Sequence, residues 1–257
     1  MSRRGLGYAE ALARAQELGY AEPDPTEDVN GADAAAKMAI LSSIAFHSRV
    51  RIDDVPYAGI DQLQREDIGH ARSFGFVVKL LGVARLVDGT VSVRVYPALV
   101  PSGHRLAAVG GPDNAVLLES RTAGEIMLVG PGAGGAETAS AVVADILSIL
   151  GTHQGSFLHN ALADAGRGIA PPGSVASSFY LRLSVADRPG VLARIASVFG
   201  DEGVSIRSVV QSGSGDEARL LLITHAGRED HMDAAVARLA ALDAVRAAPV
   251  VLRVLGD

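Results

Sequence analysis

The chain has 257 residues and a mass of 26.5 kDa, and 48% of its residues are apolar, enough for a core in one large domain or two ordinary ones. Because the net charge is −6 and no Lys/Arg stripe is present, we predict that the chain does not bind nucleic acid. The most apolar stretch, residues 74–87, is interrupted by Lys79 and Arg85, so no membrane-spanning segment is predicted. The chain has no cysteine, which excludes disulfides and favours a cytoplasmic location. Its seven histidines lack metal-ligand spacing, and no metal site is predicted.

The first 150 residues carry the pattern of an α+β fold with a mixed sheet. Apolar residues within 7–19 recur at helical spacing, and Gly19 is placed to end that helix. Pro23 and Pro25 then force an extended path. Asp88-Gly89 is a strong hairpin signal between two strand-like runs. In chain order, the predicted elements are helices 7–19 and 32–47, strand 50–57, helix 60–74, strands 76–87, 90–99, 115–120 and 124–129, and helix 137–150.

A composition change at residues 165–177 predicts a linker between two domains, 1–164 and 178–257. The segment contains Pro171-Pro172, three glycines and few bulky apolar side chains. The predicted elements beyond it are strand 179–186, helix 191–202, strands 204–211 and 218–224, helix 228–242 and strand 245–254. This βαββαβ order is the ferredoxin-like arrangement, and about eighty residues is a suitable length for it.

Acidic residues and one lysine gather around the start of the second predicted helix. Asp33 and Lys37 are four positions apart and therefore share a helix face. Glu22 and Asp28 lie in the irregular approach, where the backbone can bring both carboxylates toward the same helix end. A lysine held among carboxylates stays charged and can give a proton to a carbonyl oxygen as a hydride reaches the carbon, while the acids can hold a substrate ammonium. Alternatively, Asp33 and Lys37 form a surface ion pair, and Asp28 and Asn30 cap the helix.

The run EPDPTEDVNGADAAAK at 22–37, with the preceding GLGYAEALARAQELGYA, resembles the substrate-binding segment of homoserine dehydrogenases. These enzymes interconvert aspartate 4-semialdehyde and homoserine with NAD or NADP, in the biosynthesis of threonine and methionine. The resemblance implies that Lys37 is the proton donor to the aldehyde oxygen and that Glu22 binds the substrate amino group. It also implies that Asp28 and Asp33 line or order the site. Lys37 and Asp33 are therefore the catalytic candidates, and Glu22 and Asp28 are the substrate-binding candidates.

A glycine-rich loop, Gly130-Pro-Gly-Ala-Gly-Gly135, lies between a predicted strand and a predicted helix. We do not interpret it as a dinucleotide fingerprint, because no βαβ unit follows and no acidic residue ends a second parallel strand about 20 positions on. In homoserine dehydrogenases a similar segment closes over the nicotinamide end of the cofactor, which makes Gly132 and Gly134 the cofactor-binding candidates. The family often has proline where this chain has Glu137. The alternative is a structural turn that only allows close helix packing.

The C-terminal unit resembles an ACT domain, a family that binds amino acids and regulates metabolic enzymes. Its signature is Asp187-Arg-Pro-Gly-Val-Leu192 after the first strand of the unit, with Gly-Val-Ser-Ile at 203–206 before the second. The loop can offer backbone N–H groups at a helix start to an effector carboxylate, and Asp187 can meet its ammonium. The effector-binding candidates are Asp187, Gly190, Val191 and Leu192, and threonine is the effector that the resemblance implies. The alternative is an ACT fold used only for dimer packing.

The resemblance covers nearly the whole chain but only the latter part of the family's architecture. The family's N-terminal Rossmann domain, a second lysine that assists catalysis and the metal-binding segment have no counterpart here. We therefore expect a fragment, a displaced start codon or one half of a split enzyme, and weak cofactor binding by the chain alone. The resemblance also implies a homo-oligomer. The rival hypothesis is a non-catalytic, amino-acid-binding ACT regulator, and a third is a purely structural dimerisation module.

Overall fold

The helices and strands before residue 152 follow the predicted order, except that the strand predicted at 50–57 is missing and two short helices are added. The structure is a computed structural model that describes residues 1, 5–151, 166–171, 173–213 and 218–256. The helices of this part are α1 (Tyr8–Glu17), α2 (Thr26–Asn30), α3 (Ala32–Phe46), α4 (Arg65–Ser73), α5 (Arg105–Ala108) and α6 (Gly135–Gly151), and the strands are β1 (Phe76–Val87), β2 (Thr90–Pro101), β3 (Asp113–Ser120) and β4 (Gly124–Pro131).

The remaining described residues form the predicted βαββαβ unit, with a two-residue strand added before its second helix. The α+β class is therefore confirmed. In chain order the elements are β5 (Ala176–Val185), α7 (Val191–Asp201), β6 (Ile206–Ser212), β7 (Ala218–Thr224), β8 (Gly227–Arg228), α8 (Glu229–Ala240) and β9 (Val250–Val254).

The prediction of a strand at residues 50–57 is wrong. Ile52–Asp54 is a single 3-10 turn, in which an Asp54 carboxylate oxygen accepts a hydrogen bond from the Arg51 N–H at 2.8 Å. The side chain thus competes with sheet pairing for the backbone, and Tyr57 alone bridges to Val95 of β2. Acidic side chains next to Pro56 favour a turn over a strand, although the flanking residues are apolar.

Two other predicted boundaries are wrong for similar reasons. The helix predicted at 60–74 begins at Arg65, because Asp67 accepts a hydrogen bond from the Gln64 N–H at 3.1 Å and caps it there. The strand predicted at 245–254 is limited to Val250–Val254, with an isolated bridge from Val245 to Val185. Pro249 lies between the bridge and the strand and has no N–H to donate to a ladder.

Strand β2 is an inner strand of the sheet and has partners along both edges. On one edge it forms a hairpin with β1, and the two turn residues, Asp88 and Gly89, have positive φ angles of 49° and 81°. On the other edge three segments pair with it in succession: residues 168–170 at Val91, residues 56–58 at Val95, and β9 at Ala98 and Leu99. As a result β2 is buried continuously from Val91 to Val100.

The parallel pairing of β2 with β9 joins both parts of the chain in one sheet, ordered β1-β2-β9-β5-β7-β6. Helix α4, through Ala71, and Leu63 just before it cover one face of the C-terminal strands, against Tyr180, Leu221 and Leu252. Helices α7 and α8 cover the opposite face and form the largest cluster of buried side chains. Residues 168–170, within the predicted linker, are paired with β2 and are not a free tether.

The β3–β4 hairpin and α6 leave many apolar side chains exposed. The hairpin forms a separate two-stranded sheet, and none of the α6 residues is buried. Among the described residues, no helix combines the length and the apolar character needed to cross a membrane. The exposed apolar side chains of these elements are Val116, Leu118, Ile126, Leu128, Val129, Val142, Val143, Ile146, Leu147, Ile149 and Leu150.

Candidate active site

Helix α3 is fixed against the sheet by small residues. Ala35 and Ala39 are buried against β2, and a Cβ at Gly82 of β1 would overlap the side chain of Met38. Glycine at position 82 therefore permits close contact between α3 and β1. Gly31 has a φ of 94° and separates α2 from α3, which allows the chain to turn sharply before Asp33. The packing fixes the position of Lys37, one residue before Met38.

The backbone at Glu22 is held by side chains from both neighbouring helices. Asp28 of α2 accepts a hydrogen bond from the Glu22 N–H at 2.9 Å, and Gln16 of α1 donates to the Glu22 carbonyl at 2.9 Å. Asn30 accepts from the Ala32 N–H at 2.8 Å, as a residue at a helix start does. The capping alternative therefore fits Asn30 and is wrong for Asp28. The approach predicted to be irregular contains α2, which begins where Asp24 accepts from Thr26.

Lys37 and Asp33 form the ion pair that their spacing predicts. The Lys37 Nζ lies 2.6 Å from an Asp33 carboxylate oxygen, and the two side chains are 58% and 47% exposed. An exposed pair of this kind contributes little to stability, on the order of 0.3–0.5 kcal/mol for a helical i,i+4 pair. Its accessibility, however, allows the ammonium group to reach a small molecule.

A cleft of about 910 Å³ brings the two halves of the candidate site together. Glu22, Asp28, Asp33 and Lys37 line it on one side, and Gly132 lines it on the other. The acidic stretch and the glycine-rich loop, about 100 positions apart in the chain, thus share one cavity. Sequence reasoning did not identify the further polar or aromatic residues that line it, namely Gln16, Tyr20 and Asn114.

The two glycines proposed for cofactor contact have different surroundings. The Gly132 N–H donates to the Pro112 carbonyl at 3.1 Å, and a Cβ at this position would overlap the Asn114 side chain. Gly134, with a φ of 141°, lies at the start of α6, where its carbonyl accepts from the Thr138 N–H at 3.0 Å. A Cβ at Gly134 would overlap the Glu137 carboxylate. Gly134 is not among the residues lining the cleft, so the structure brings only Gly132 to the acidic stretch.

The strand before the glycine-rich loop is not paired as the strand of a dinucleotide fingerprint would be. β4 pairs antiparallel with β3, and these two strands form a sheet of their own. A Rossmann fingerprint needs parallel strands joined by a helix. Among the described residues, no group of three or more His, Asp or Glu side chains is arranged to hold a metal ion.

The predicted effector residues surround a separate cavity of about 370 Å³ at the start of α7. Asp187 accepts a hydrogen bond from Gln211 of β6 at 2.9 Å, so Gln211 is a lining residue that sequence reasoning missed. Gly190, with a φ of 88°, precedes the helix. The Val191 side chain is buried in the core of the C-terminal unit, and its N–H donates to the Arg188 carbonyl at 3.2 Å. Leu192 is partly exposed beside them.

Comparison with known families identifies both parts of the chain. The family model described as homoserine dehydrogenase matches residues 1–147, and the ACT domain model matches residues 179–244. The C-terminal unit is therefore an ACT domain, and the match to residues 1–147 includes both sides of the cleft.

Individual relatives agree with these matches. The chain is 44% identical to the homoserine dehydrogenase of Mycobacterium tuberculosis strain H37Rv, a match that covers 100% of this chain and 61% of that protein. It is 41% identical to the homoserine dehydrogenase of Corynebacterium glutamicum, with 100% and 59% covered. The crystal structure of a homoserine dehydrogenase from Thiobacillus denitrificans superposes with a TM-score of 0.91 at 38% identity, over 99% of this chain and 60% of that one.

The chain spans about three fifths of the length of the curated relatives it matches. Within that span the agreement extends from sequence to backbone, and the matching family model alone accounts for more than half of the residues. We conclude that the chain belongs to the homoserine dehydrogenase family.

Proposed function

We propose that this chain forms the substrate-binding and proton-transferring part of a homoserine dehydrogenase, an oxidoreductase that interconverts L-homoserine and L-aspartate 4-semialdehyde with NAD or NADP. The observation that carries the proposal is the shared cleft, in which an accessible lysine, three carboxylates and a glycine that allows close backbone approach meet. We place the reaction in the biosynthesis of threonine and methionine and in the cytoplasm, on the family resemblance and the cysteine-free sequence.

Lys37 donates and accepts the proton of the proposed reaction. During reduction of the aldehyde, the Lys37 ammonium gives a proton to the carbonyl oxygen, which becomes a hydroxyl and leaves a neutral amine on Lys37. During oxidation of homoserine, the neutral Lys37 amine takes that proton back. Asp33, at 2.6 Å, accepts a hydrogen bond from the Lys37 ammonium and holds it in place. The cofactor supplies or accepts the hydride when it is bound.

The substrate amino group is assigned to Glu22. The Glu22 carboxylate in the cleft attracts the ammonium of homoserine. The Glu22 N–H donates to Asp28 and the Glu22 carbonyl accepts from Gln16, and these two bonds hold the segment in place. Asp28 thus acts as a positioning residue for Glu22, although it also lines the cleft.

The nicotinamide end of the cofactor fits at Gly132, where a side chain would collide with Asn114. Gly134 contributes indirectly, by starting α6 behind the loop. Contacts to the adenosine and pyrophosphate need a strand, a glycine-rich turn and a helix of Rossmann type, which the family resemblance assigns to an additional N-terminal domain. That N-terminal domain would determine whether the enzyme uses NAD or NADP.

The test joins this chain to the N-terminal segment that precedes the matched region in the Mycobacterium tuberculosis relative. We expect the joined protein to form reduced cofactor from homoserine and NAD⁺ or NADP⁺, measured by absorbance, and this chain by itself to form far less. A folded, joined protein that binds cofactor but forms no reduced cofactor would contradict the proposal and favour the non-catalytic regulator.

Gly132→Ala is expected to lower kcat/KM of the joined protein by about tenfold or more, because the new methyl group displaces Asn114 into the cleft. The matched control is Gly130→Ala in the same loop, where a Cβ would meet nothing within 4 Å. Steady-state kinetics of both variants with homoserine and cofactor provide the measurement. Equal kcat/KM values for the two variants would remove Gly132 from the site.

We also propose that the ACT domain binds threonine at the start of α7, with Asp187 meeting the ammonium and the first helical N–H groups meeting the carboxylate. The Val191 N–H is already bonded to Arg188, which leaves Leu192 as the better donor. Asp187→Asn should weaken threonine binding by about tenfold in calorimetry. Val209→Ser, on the exposed part of β6, is a control that should bind normally. Unchanged binding by Asp187→Asn would contradict this site.

We propose that residues 1–164 and 178–257 are the two domains and that residues 165–177 link them. We also propose that the protein forms a homo-oligomer. The exposed apolar side chains of the β3–β4 sheet support self-association, because a two-stranded sheet with open edges invites further pairing. Light scattering of the purified chain tests this, and a mass equal to one chain would contradict it.

A further inference from the structure

A third cavity, of about 490 Å³, lies between β2 and the ACT domain. Its walls come from β2, residues 53–58, residues 169–171, Gly173, α8 and β9. It shares no lining residue with the candidate active site or with the cavity at the start of α7. Neither the proposed reaction nor the proposed threonine site uses it.

A carboxylate deep in this cavity is fully occupied by donors from the protein. Glu229 of α8, with a side chain only 6% exposed, accepts hydrogen bonds from Arg253 Nε at 2.8 Å, Arg253 Nη2 at 3.0 Å and Ser177 Oγ at 3.0 Å. It also forms an ion pair with Arg94. Burial acts to raise the Glu229 pKa, but these bonds and charges outweigh it and leave the pKa below its usual value. Glu229 is therefore a charged, saturated acceptor.

The guanidinium groups around Glu229 are not saturated. Two of them, Arg94 and Arg253, share this one carboxylate, which leaves one unit of positive charge without an ion-pair partner inside the cavity. Arg94 donates once more, to Ser92 at 2.9 Å. Arg253 stacks over Tyr96 at 4.6 Å, and its Nη1 has no hydrogen bond to any described residue. Since a partly buried charge without a counterion is costly, this pair of arginines favours an anion with two oxygen atoms.

The mouth of the same cavity has the opposite charge. Asp233, one turn after Glu229 on α8, is exposed and has no hydrogen bond or ion pair with any described residue. Burial raises its pKa, and the charge of Arg253 opposes that rise. Asp53 and Asp54 also line the cavity, and Asp54 already accepts a hydrogen bond from the Arg51 N–H. The cavity therefore has spare positive charge inside and spare negative charge at the mouth.

We propose that this interdomain cavity is a binding site for a small α-amino acid in its zwitterionic form. Its carboxylate lies against the guanidinium groups of Arg94 and Arg253, and its ammonium lies against Asp233. A ligand with one charge of each sign, separated by a single carbon, complements this arrangement without requiring a change in the Glu229 network. The proposal is independent of the catalytic role of the chain.

The first experiment follows thermal unfolding of the 257-residue chain in the presence of each standard α-amino acid and of homoserine. At least one of them should raise Tm. With that amino acid, calorimetry should show about tenfold weaker binding by Asp233→Asn and near-normal binding by Asp233→Glu. Asp243→Asn, at an exposed aspartate that lines none of these cavities, is the matched control and should bind normally. Asp233 is exposed, so its variants should unfold at the parent Tm without ligand.

Three outcomes would overturn the proposal. The first is that no amino acid raises Tm. The second is that Asp187→Asn abolishes binding while Asp233→Asn retains it, which would locate the ligand at the start of α7. The third is that an analogue of the bound amino acid without its amino group binds equally well, which would show that Asp233 holds no ammonium.

Discussion

Lys37→Ala is expected to lower kcat of the joined enzyme by about 10²–10⁴-fold, the range that a positioned proton donor contributes. KM for homoserine should change little, because Glu22 and not Lys37 is assigned to the substrate amino group. Stability should also change little, since the ion pair with Asp33 is exposed. Steady-state kinetics and thermal unfolding of the same preparation separate the two effects.

Lys37→Arg is the matched variant, because it keeps the positive charge and the contact with Asp33. A guanidinium group does not release its proton at accessible pH, so this variant should be nearly as slow as Lys37→Ala. If Lys37 only attracted an anion, Lys37→Arg would retain most of the activity. Normal turnover by Lys37→Ala would remove the proton-donor role while leaving the family assignment intact.

Asp67→Ala is expected to lower the free energy of unfolding by about 3–5 kcal/mol, the cost of leaving one partner of a buried ion pair alone. Asp67 of α4 is completely buried, and one of its carboxylate oxygens lies 2.6 Å from Arg182 Nε on β5. Arg182 also donates to Gln64 at 3.0 Å. The variant would therefore bury an unpaired guanidinium between the N-terminal part and the ACT domain. Urea unfolding of the whole chain measures the loss.

Asp243→Ala is a suitable control, since Asp243 forms an ion pair with Arg194 in which both side chains are more than half exposed. This variant should cost less than about 1 kcal/mol. A double variant, Asp67→Leu with Arg182→Met, should recover most of the lost stability, because apolar side chains of similar volume often replace a buried pair at little cost. If Asp67→Ala and Asp243→Ala cost the same, the buried pair would have no special role.

Local sequence patterns predicted much of the fold, because at most positions the conformation that the pattern favours is also the one that the tertiary contacts require. The Asp88-Gly89 turn has positive φ at both residues, as its type requires, and Gly19 follows the end of α1. At residues 50–57 the local apolar pattern conflicts with the structure. The apolar residues suggest a strand, while the Asp54 carboxylate binds the backbone of Arg51. Side-chain to backbone bonds of this kind depend on geometry that periodicity does not contain.

The candidate site was predictable only in part, for a different reason. Glu22, Asp28, Asp33 and Lys37 lie within one short stretch, so sequence spacing could group them. Asn114 and Gln16 reach the cleft from elements whose positions depend on tertiary packing. A glutamine near the end of an amphipathic helix gives no sign that it will hold a loop. Likewise, the sharing of Glu229 by Arg94 and Arg253 depends on the β2–β9 pairing, which no local pattern indicates.

The parallel contact between β2 and β9 limits how this protein can be rearranged. A module that is merely attached can be exchanged, duplicated or lost without harm to its neighbour. Here the last strand of the C-terminal unit pairs with the edge of the most continuously buried strand of the N-terminal part. Transplanting a different ACT domain onto residues 1–164 would therefore need a matching terminal strand in the correct register, since a shift by one residue turns every side chain to the opposite face. Exchange of regulatory modules in such a fold is constrained by strand register more than by linker length.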